Sequence, residues 1–334
     1  MLYVLLGLIF FAVKIASAAD SADFIGPPVE AATPAAEVPV AGVTEPGLLQ
    51  NIDAPRDYLS EKIVEYSTNL DHFFGDERYF QENNKSVIQM NLSETMAQSG
   101  NNAFAVEGQA KLDLPAAQHR FQFVLQSNPE KNTAGEVKKD QPVDPNAAKT
   151  SDKYAASLRY SKAEEERWHY STEAGIKFQF PLDPFARARV SYSMPVLDWR
   201  LKLSENVFWF STIGLGETTQ FDMEHVLSEP VLFRATTTST CYEAPQNCDL
   251  RQDMTVYHTL NERTALLYQA SVIGVSQPSL TETAYVLLVR YRYRMHKDWI
   301  FLELNPQLNF PKTDDFKLNA YLLLRLEILF GAKQ

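Results

Sequence analysis

Apolar and polar side chains alternate at every second position over most of the chain, from residue 86 to residue 330. In one predicted strand, for example, Phe104 and Leu112 fall on one face and Lys111 falls on the other. A period of two is typical of β-strands with one apolar and one polar face. The pattern predicts an all-β unit of about fourteen antiparallel strands, with twelve to sixteen possible, at 87–96, 103–114, 119–126, 153–161, 167–180, 185–194, 199–210, 217–227, 231–239, 253–260, 265–274, 284–294, 299–310 and 318–330.

Strands of this kind can bury their apolar faces in two ways. In a soluble sandwich the apolar face points inward, and strands average about 5–6 residues. In a transmembrane barrel the apolar face meets lipid, strands run about 9–11 residues, and the polar face lines the lumen. The predicted strands run about 8–14 residues. Their length favours a closed antiparallel transmembrane β-barrel, and a soluble β-protein is the alternative.

Aromatic residues mark the ends of several predicted strands. An amphipathic ring is most stable at the level of the lipid headgroups, so a membrane barrel carries aromatic girdles at its rims. Three Trp residues open strands and two Tyr residues close strands, which predicts a girdle made of Trp168, Trp199, Trp299, Tyr160 and Tyr293.

The last predicted strand has an apolar face that ends in Leu326, Ile328 and Phe330. Such a face near the C-terminus resembles the terminal strand signal of bacterial outer-membrane β-barrels, although four residues, 331–334, follow it here as a short tail. The resemblance covers residues 86–330 and implies two partners, outer-membrane lipid and the barrel-insertion machinery. The stretches 70–76 and 299–306 resemble uncharacterised proteobacterial exported proteins, and that likeness implies no activity.

The N-terminus reads as an export signal. An apolar run from Leu2 to Val13 precedes the small residues Ala16, Ser17 and Ala18, which is typical of a cleaved signal peptide over residues 1–18. An uncleaved anchor is the alternative. Residues 19–52 are rich in Ala and Pro without an apolar period and are predicted to be a flexible linker. Together with the predicted barrel, this predicts a location in the outer membrane of a Gram-negative bacterium.

One helix is predicted between the linker and the barrel, over residues 53–80. Its helix-start signal is Asp53-Ala54-Pro55, and Gly75 ends the periodic part. An apolar stripe follows helical spacing along Leu59, Ile63, Tyr66, Leu70 and Phe73. The stripe predicts packing on the rest of the chain, a periplasmic protein partner bound through residues 55–75, or contact with a membrane surface.

An even number of strands brings both ends of the barrel to one side of the membrane. With that side in the periplasm, the two longest connections, 127–152 and the region 240–252, lie outside the cell. The second of these holds Cys241 and Cys248, the only cysteines. In an oxidising compartment they are expected to form one disulfide.

The amino-acid composition restricts the possible binding partners but does not alter the predicted fold. Lys and Arg number 31 against 42 Asp and Glu, a net charge of −11, which argues against nucleic acid as a partner. Many charges nevertheless fall on the predicted inner faces. An open lumen of this kind favours anions, whereas a filled one forms a network of ion pairs. The candidate lumen-lining residues are Arg120, Arg159, Arg187, Arg189, Arg200, Arg234, Arg290, Arg292, Arg294, Arg325, Glu107, Glu173, Glu303 and Glu327.

Catalytic and metal-binding patterns are weak. The His169–Ser171 and His225–Ser228 pairs are the nearest approach to a lipase-like nucleophile and base. No His, Cys or carboxylate spacing matches a metal motif, and no cofactor fingerprint occurs. The sequence therefore predicts a porin-like channel for passive solute transport, not an enzyme. A closed docking barrel with a periplasmic partner is the alternative, and a lipid-acting barrel enzyme is a third interpretation.

Overall fold

The computed structural model of the chain describes residues 66–71, 73–74, 86–100, 102–114, 121–127, 129, 154–164, 167–244, 246–297 and 299–331. The predicted signal peptide, the linker 19–52 and the last three residues of the tail lie outside this range. Of the predicted helix 53–80, residues 66–71 and 73 are helical. Residue 74 is a turn, and the other predicted positions lie outside the described residues, so the full length of the helix stays a prediction.

The predicted closed barrel is confirmed, and so is the count of fourteen antiparallel strands. Each strand pairs with its neighbours in sequence, and β1 pairs with β14, with Val87 opposite Gly331 and Met96 opposite Leu322. Closure leaves no strand edge unpaired, which is what a sheet needs in lipid. The strands are β1 Val87–Ala97, β2 Asn102–Asp113, β3 Phe121–Ser127, β4 Tyr154–Glu164, β5 Trp168–Phe178, β6 Asp183–Val196, β7 Trp199–Phe210, β8 Gly214–Ser228, β9 Val231–Tyr242, β10 Asn247–Asn261, β11 Thr264–Val275, β12 Thr281–His296, β13 Ile300–Pro311 and β14 Asn319–Gly331.

Both termini of the barrel lie at one end, which we call the terminal end; the other is the distal end. Two-residue turns at 197–198, 229–230 and 262–263 close three of the hairpins at the terminal end. The longest connection, 128–153, lies between β3 and β4 at the distal end. Here Gly214 opens β8 directly after the turn 211–213 with a φ of 85°, a conformation that favours glycine.

One expectation about the connections is wrong. The region 240–252 was expected to be a long loop, but β9 runs to Tyr242 and β10 starts at Asn247, so the connection between them is 243–246. Cys241 and Cys248 lie opposite each other in the β9–β10 ladder. The alternation is hard to read there because Thr and Ser occupy both faces of β9 from Thr236 onward.

The alternation of apolar and polar residues along each strand corresponds to a difference in solvent exposure between the two faces of the barrel wall. On β13, Leu302 and Leu304 point outward and are 39% and 38% exposed, whereas Glu303 and Asn305 point inward and are 0% and 1% exposed. The outer wall is therefore apolar and the inner wall polar, as lipid outside requires. No helix among the described residues is long and apolar enough to cross a membrane.

Candidate functional site: the charged interior of the barrel

The first charged group of the interior lies on β4, β5 and β6. Strand register places Arg159 opposite Glu173, and Glu173 opposite Arg187. The Glu173 carboxylate accepts a hydrogen bond from Arg159 Nε at 2.8 Å and two from Arg187 Nη2, each at 2.8 Å. Ser157 Oγ also donates to it, at 2.5 Å. All four side chains are buried, so two guanidinium groups share one carboxylate away from water.

A second group lies on β12, β13 and β14. Arg292 is opposite Glu303, and Glu303 is opposite Arg325. The Arg292 guanidinium is fully buried; it donates to Glu303 and contacts Glu327, with Nη2 2.7 Å from Oε1. Arg325 Nη1 lies 3.1 Å from Glu303 Oε2. Two arginines and two glutamates thus form a neutral set.

The third group joins the inner wall to residues 66–74, which we call the docked helix. Within this segment, His72 lies outside the described residues. Arg234 Nη2 donates to Asp71 Oδ1 at 2.6 Å and to Ser67 Oγ at 3.2 Å. Ser67 Oγ donates in turn to Glu224 Oε2 at 2.8 Å. Arg234 Nε also lies 2.9 Å from Glu224 Oε1. Asp71 and Ser67 therefore join the docked helix to an ion pair between two wall residues, Arg234 and Glu224.

Apolar contacts hold the same helix against the wall. Leu70 and Phe74 are 3% and 2% exposed and belong to one buried cluster with inward-facing residues of β9 to β12. The Phe74 ring meets the Tyr257 ring edge-on at 5.4 Å, and the Phe73 ring meets Phe301 at 5.8 Å. Burial raises the pKa of the Tyr66 phenol, against the opposing effect of its hydrogen bond with Thr259. Because these wall residues lie near the turns after β8, β10 and β12, the helix sits inside the barrel at its terminal end.

The part of the apolar stripe that the structure describes is consequently occupied by the barrel. Tyr66, Leu70 and Phe73 all pack against the cluster that includes Leu232 and Leu267. Of the three roles expected for the stripe, packing on the rest of the chain is the one seen for these residues. Leu59 and Ile63 lie outside the described residues, and a periplasmic partner bound through 55–75 stays a prediction.

The distal end of the interior has a different lining. Lys177 Nζ lies 2.6 Å from Asp183 Oδ2, and both side chains are fully buried. Asp183 also accepts hydrogen bonds from Ser211 and from the backbone and hydroxyl of Thr212, which fixes the β7–β8 turn. Beside it lies a second buried apolar cluster, made of Ala155, Phe185, Phe208 and Phe210.

The remaining candidate lumen residues are less enclosed. Arg290 is buried, while Arg189, Arg200, Arg294 and Glu107 are half-buried on inward-facing positions. Arg200 Nη1 lies 3.4 Å from Glu224 Oε2, and Arg294 donates to the backbone carbonyl of Glu262 at the terminal end. Arg120 lies outside the described residues.

The predicted aromatic girdle residues all lie toward the terminal end and share the outward face. Trp168 contacts Tyr192 at 4.4 Å, and Tyr160 contacts Phe121 at 5.2 Å between ring centroids. Trp299 lies 6.2 Å from Phe330, the outward-facing aromatic of the terminal strand signal. Leu326 and Ile328 point the same way as Phe330. Trp199 stacks on His225 at 4.8 Å, and Tyr293 is half-buried opposite Thr264.

The cysteines, and the histidines considered as catalytic candidates, lie in the wall of the barrel, on its outer or inner face. Cys241 and Cys248 form a disulfide that links β9 to β10 on the outer face. His225 Nδ1 lies 2.7 Å from the carbonyl oxygen of Asp198, in the girdle, whereas His169 and Ser171 point inward on β5. Among the described residues, no group of three His, Cys, Asp or Glu side chains could hold a metal ion.

Four of the buried basic residues that the structure describes were not among the candidates: Lys111, Lys177, Lys202 and Arg251. The alternating pattern places Lys111 and Lys177 on polar faces, so the signal was available. Arg251 donates to Asp253 Oδ1 at 2.7 Å but precedes the predicted start of its strand at 253. Extending the predicted strand by two residues toward the N-terminus, which is one period of the alternation, would have included Arg251.

Comparison with known proteins gives a likeness of fold only. No family model matches the sequence, and no curated protein matches it. Among solved structures, the NanC porin is 9% identical and covers 72% of this chain and 98% of its own, with a TM-score of 0.39. The outer-membrane channel DcaP of Acinetobacter baumannii is 8% identical over 74% and 96%, with a TM-score of 0.42. OprB of Pseudomonas putida, in its high-pH structure, is 7% identical over 77% and 97%, with a TM-score of 0.46.

At these values the likenesses carry no argument about this chain. The class of the chain rests on its own architecture, which is a closed barrel with an even number of antiparallel strands, an apolar outer wall and a polar interior. The chain is a closed antiparallel β-barrel with the architecture of a transmembrane barrel.

Proposed function

We propose that the protein is a porin-like channel for passive transport across the outer membrane, and that its docked helix narrows the lumen. The observation that carries the proposal is the polar contact between Arg234 on the inner wall and Asp71 on the helix, at 2.6 Å. A barrel with a charged interior offers a path for water and solutes. A helix held inside that path by a few side chains provides a way to restrict it.

The terminal end is assigned to the periplasm in this proposal. The signal peptide delivers the N-terminal region to that side, and the short turns of the terminal end are typical of periplasmic hairpins. The docked helix then restricts the periplasmic mouth. The distal connections, including 128–153, face the outside of the cell.

Weak ion selectivity follows from the pairing of the interior charges. One group balances completely, because Arg292 and Arg325 pair with two glutamates. The other keeps one positive charge in excess, because Glu173 pairs with two arginines. A solute therefore meets local hydrogen-bonding groups more than a net field. This differs from a row of unpaired arginines, which would favour anions strongly.

The proposal is tested by recording currents from purified full-length protein in planar lipid bilayers, beside a variant that lacks residues 19–80. We expect rare discrete openings for the intact chain and frequent ones for the deletion, with little preference between K⁺ and Cl⁻. Absence of discrete openings from both proteins in every salt would refute the channel. Frequent openings of equal size in both would keep the channel and refute the role of the helix.

A further inference from the structure

One row of inward-facing side chains crosses four neighbouring strands inside the barrel. Strand register places Gln122 on β3 opposite Arg159 on β4, and the row continues through Glu173 on β5 to Arg187 on β6. Arg159 and Glu173 are each the central residue of an 11-residue strand, so the row lies midway between the two ends. We call these four residues the mid-barrel row. All four are buried, and the most exposed of them, Arg187, is 9% exposed.

The mid-barrel row carries one positive charge more than its own side chains neutralise. Arg159 Nε and Arg187 Nε both donate to Glu173 Oε2, at 2.8 and 3.0 Å. Among the described residues, no second carboxylate forms an ion pair with either arginine. Asp113 on β2 is next in the row, and Gln122 separates it from Arg159. Because a buried charge is costly unless it is paired, an anion from solution would stabilise the row.

Four hydrogen-bonding atoms of the row have no partner among the described residues. Two of them are Arg159 Nη1 and Arg187 Nη1. Arg187 binds Glu173 through Nε and Nη2, so its Nη1 is directed away from that carboxylate. The other two are the amide nitrogen and oxygen of Gln122, which is 0% exposed. Buried polar atoms of folded proteins are nearly always hydrogen-bonded, so three donors and one acceptor beside an excess charge indicate a ligand site.

These atoms lie close enough together to bind one small molecule. The two guanidinium groups are side by side, because they share one carboxylate oxygen. Gln122 is directly opposite Arg159, and the Cβ atoms of such a pair are about 4.5–5.5 Å apart. Arg187 Nη2 lies 3.5 Å from Gln126 Oε1 on β3, so the Arg187 side chain extends from β6 toward the strand that carries Gln122.

The set of atoms selects a chemical class of ligand. A carboxylate supplies the missing negative charge, and its two oxygens accept hydrogen bonds from the Nη1 donors and from the Gln122 amide. Gln122 Oε1 needs a donor, which a hydroxyl on the carbon next to the carboxylate provides. A halide ion would supply the charge but would leave Gln122 Oε1 without a partner.

We propose that the mid-barrel row is a binding site for a small hydroxycarboxylate in the lumen. The inference rests on the proposed function and deepens it, because the solute reaches the row through the channel. One excess charge at mid-height makes a local binding site, and it is compatible with weak selectivity of the whole lumen.

The first test measures binding without any current. Saturation-transfer NMR on the folded full-length protein in detergent compares three probes: lactate, propionate, which lacks the hydroxyl, and chloride. We expect lactate to bind about tenfold more tightly than propionate, because it makes one more hydrogen bond to a buried acceptor. Chloride should displace lactate only at concentrations at least tenfold higher. Equal affinities for lactate and propionate would overturn the assignment to a hydroxycarboxylate, and no lactate binding would overturn the site.

Two variants separate the charge from the amide. Arg159→Gln leaves Glu173 and Arg187 as a neutral pair, and should weaken the binding of both carboxylates at least tenfold. Gln122→Leu keeps the charge and should abolish the advantage of lactate over propionate. Gln307→Leu is the matched control, because Gln307 is 2% exposed, also has an amide oxygen without a partner among the described residues, and lies opposite Leu288 and Tyr321. A loss of lactate binding in Gln307→Leu equal to that in Gln122→Leu would overturn the role of the row.

Planar-bilayer currents from the same preparations separate this inference from the proposed function. Heat-modifiable gel migration shows that each protein is folded, and the comparison of lactate with propionate on the wild type needs no variant. Discrete currents without lactate binding would keep the channel and overturn the site. Lactate binding that depends on Gln122 and Arg159, without currents in any salt, would keep the site and refute the channel.

Discussion

Replacing Asp71 by alanine removes the charged contact between the docked helix and the wall and keeps the contacts of Ser67 with Arg234 and Glu224. Asp71 is 7% exposed, and its Oδ1 accepts a hydrogen bond from Arg234 at 2.6 Å. In the variant, Arg234 keeps two wall partners, Glu224 at 2.9 Å and the Tyr257 hydroxyl at 2.8 Å. The variant therefore loses the charge-assisted hydrogen bond between Asp71 and Arg234 but leaves no unpaired buried cation.

Such a bond contributes about 1.5–3 kcal/mol to stability. Because about 1.4 kcal/mol changes an equilibrium tenfold, the ratio of undocked to docked helix should rise by about 10- to 150-fold. The apolar contacts of Leu70 and Phe74 are unchanged in this variant, so the helix should still dock for part of the time. We expect a rise in opening frequency and no change in the size of each opening.

Single-channel recording of wild type, Asp71→Ala and Glu229→Ala measures this effect. Glu229 is an exposed acid in the β8–β9 turn at the same end of the barrel, so it controls for the loss of one negative charge near the mouth. Heat-modifiable migration shows whether each protein is folded. If folded Asp71→Ala opens no more often than Glu229→Ala, the Asp71–Arg234 contact does not hold the helix in the lumen.

Three further predictions address the interior, the helix and the orientation. Replacing Glu173 by leucine leaves Arg159 and Arg187 buried side by side, and should lower the free energy of unfolding by about 3–5 kcal/mol in a urea titration in lipid vesicles; a loss below about 1 kcal/mol would show that these cations are hydrated. Phe74→Ala removes a side chain that is 2% exposed, and should raise the opening frequency more than Asp71→Ala does, because burying a phenyl ring contributes about 3–5 kcal/mol. An epitope inserted at 243–246 should bind antibody on intact cells, and labelling only after permeabilisation would reverse the proposed orientation.

The strands could be predicted because their signal is local. Each inward or outward position is readable from its two neighbours, as at Glu303 between Leu302 and Leu304, and lipid outside makes the rule uniform. The signal failed where both faces are polar. Thr237 and Ser239 on the outer wall resemble Thr236 and Thr238 on the inner wall, so the end of β9 was not recognised.

The interior network was only partly predictable, because its contacts join residues far apart in sequence. The pairing of Arg159, Glu173 and Arg187 follows from strand register, which depends on turn lengths that the alternation does not report. The hydrogen bond between Arg234 and Asp71 joins residues that are 163 positions apart in sequence. The helical period identified an apolar stripe to be covered, but no local pattern identifies which surface covers it.

The docked helix is covalently joined to the wall that it contacts. Twelve residues, 75–86, separate Phe74 from the start of β1 at Val87, and a fully extended chain of that length spans at most about 40 Å. A released helix therefore stays at an effective concentration on the order of millimolar near its seat, whatever the amount of protein in the membrane. Return of the released helix to its binding site is a first-order process. A solute that binds at Arg234 therefore competes with a helix at an effectively millimolar concentration. To keep the helix out of the lumen, the solute must reach a similar concentration or bind more tightly than the helix does. Shortening or lengthening the segment 75–86 would change the solute concentration needed for this competition without altering any side chain of the barrel.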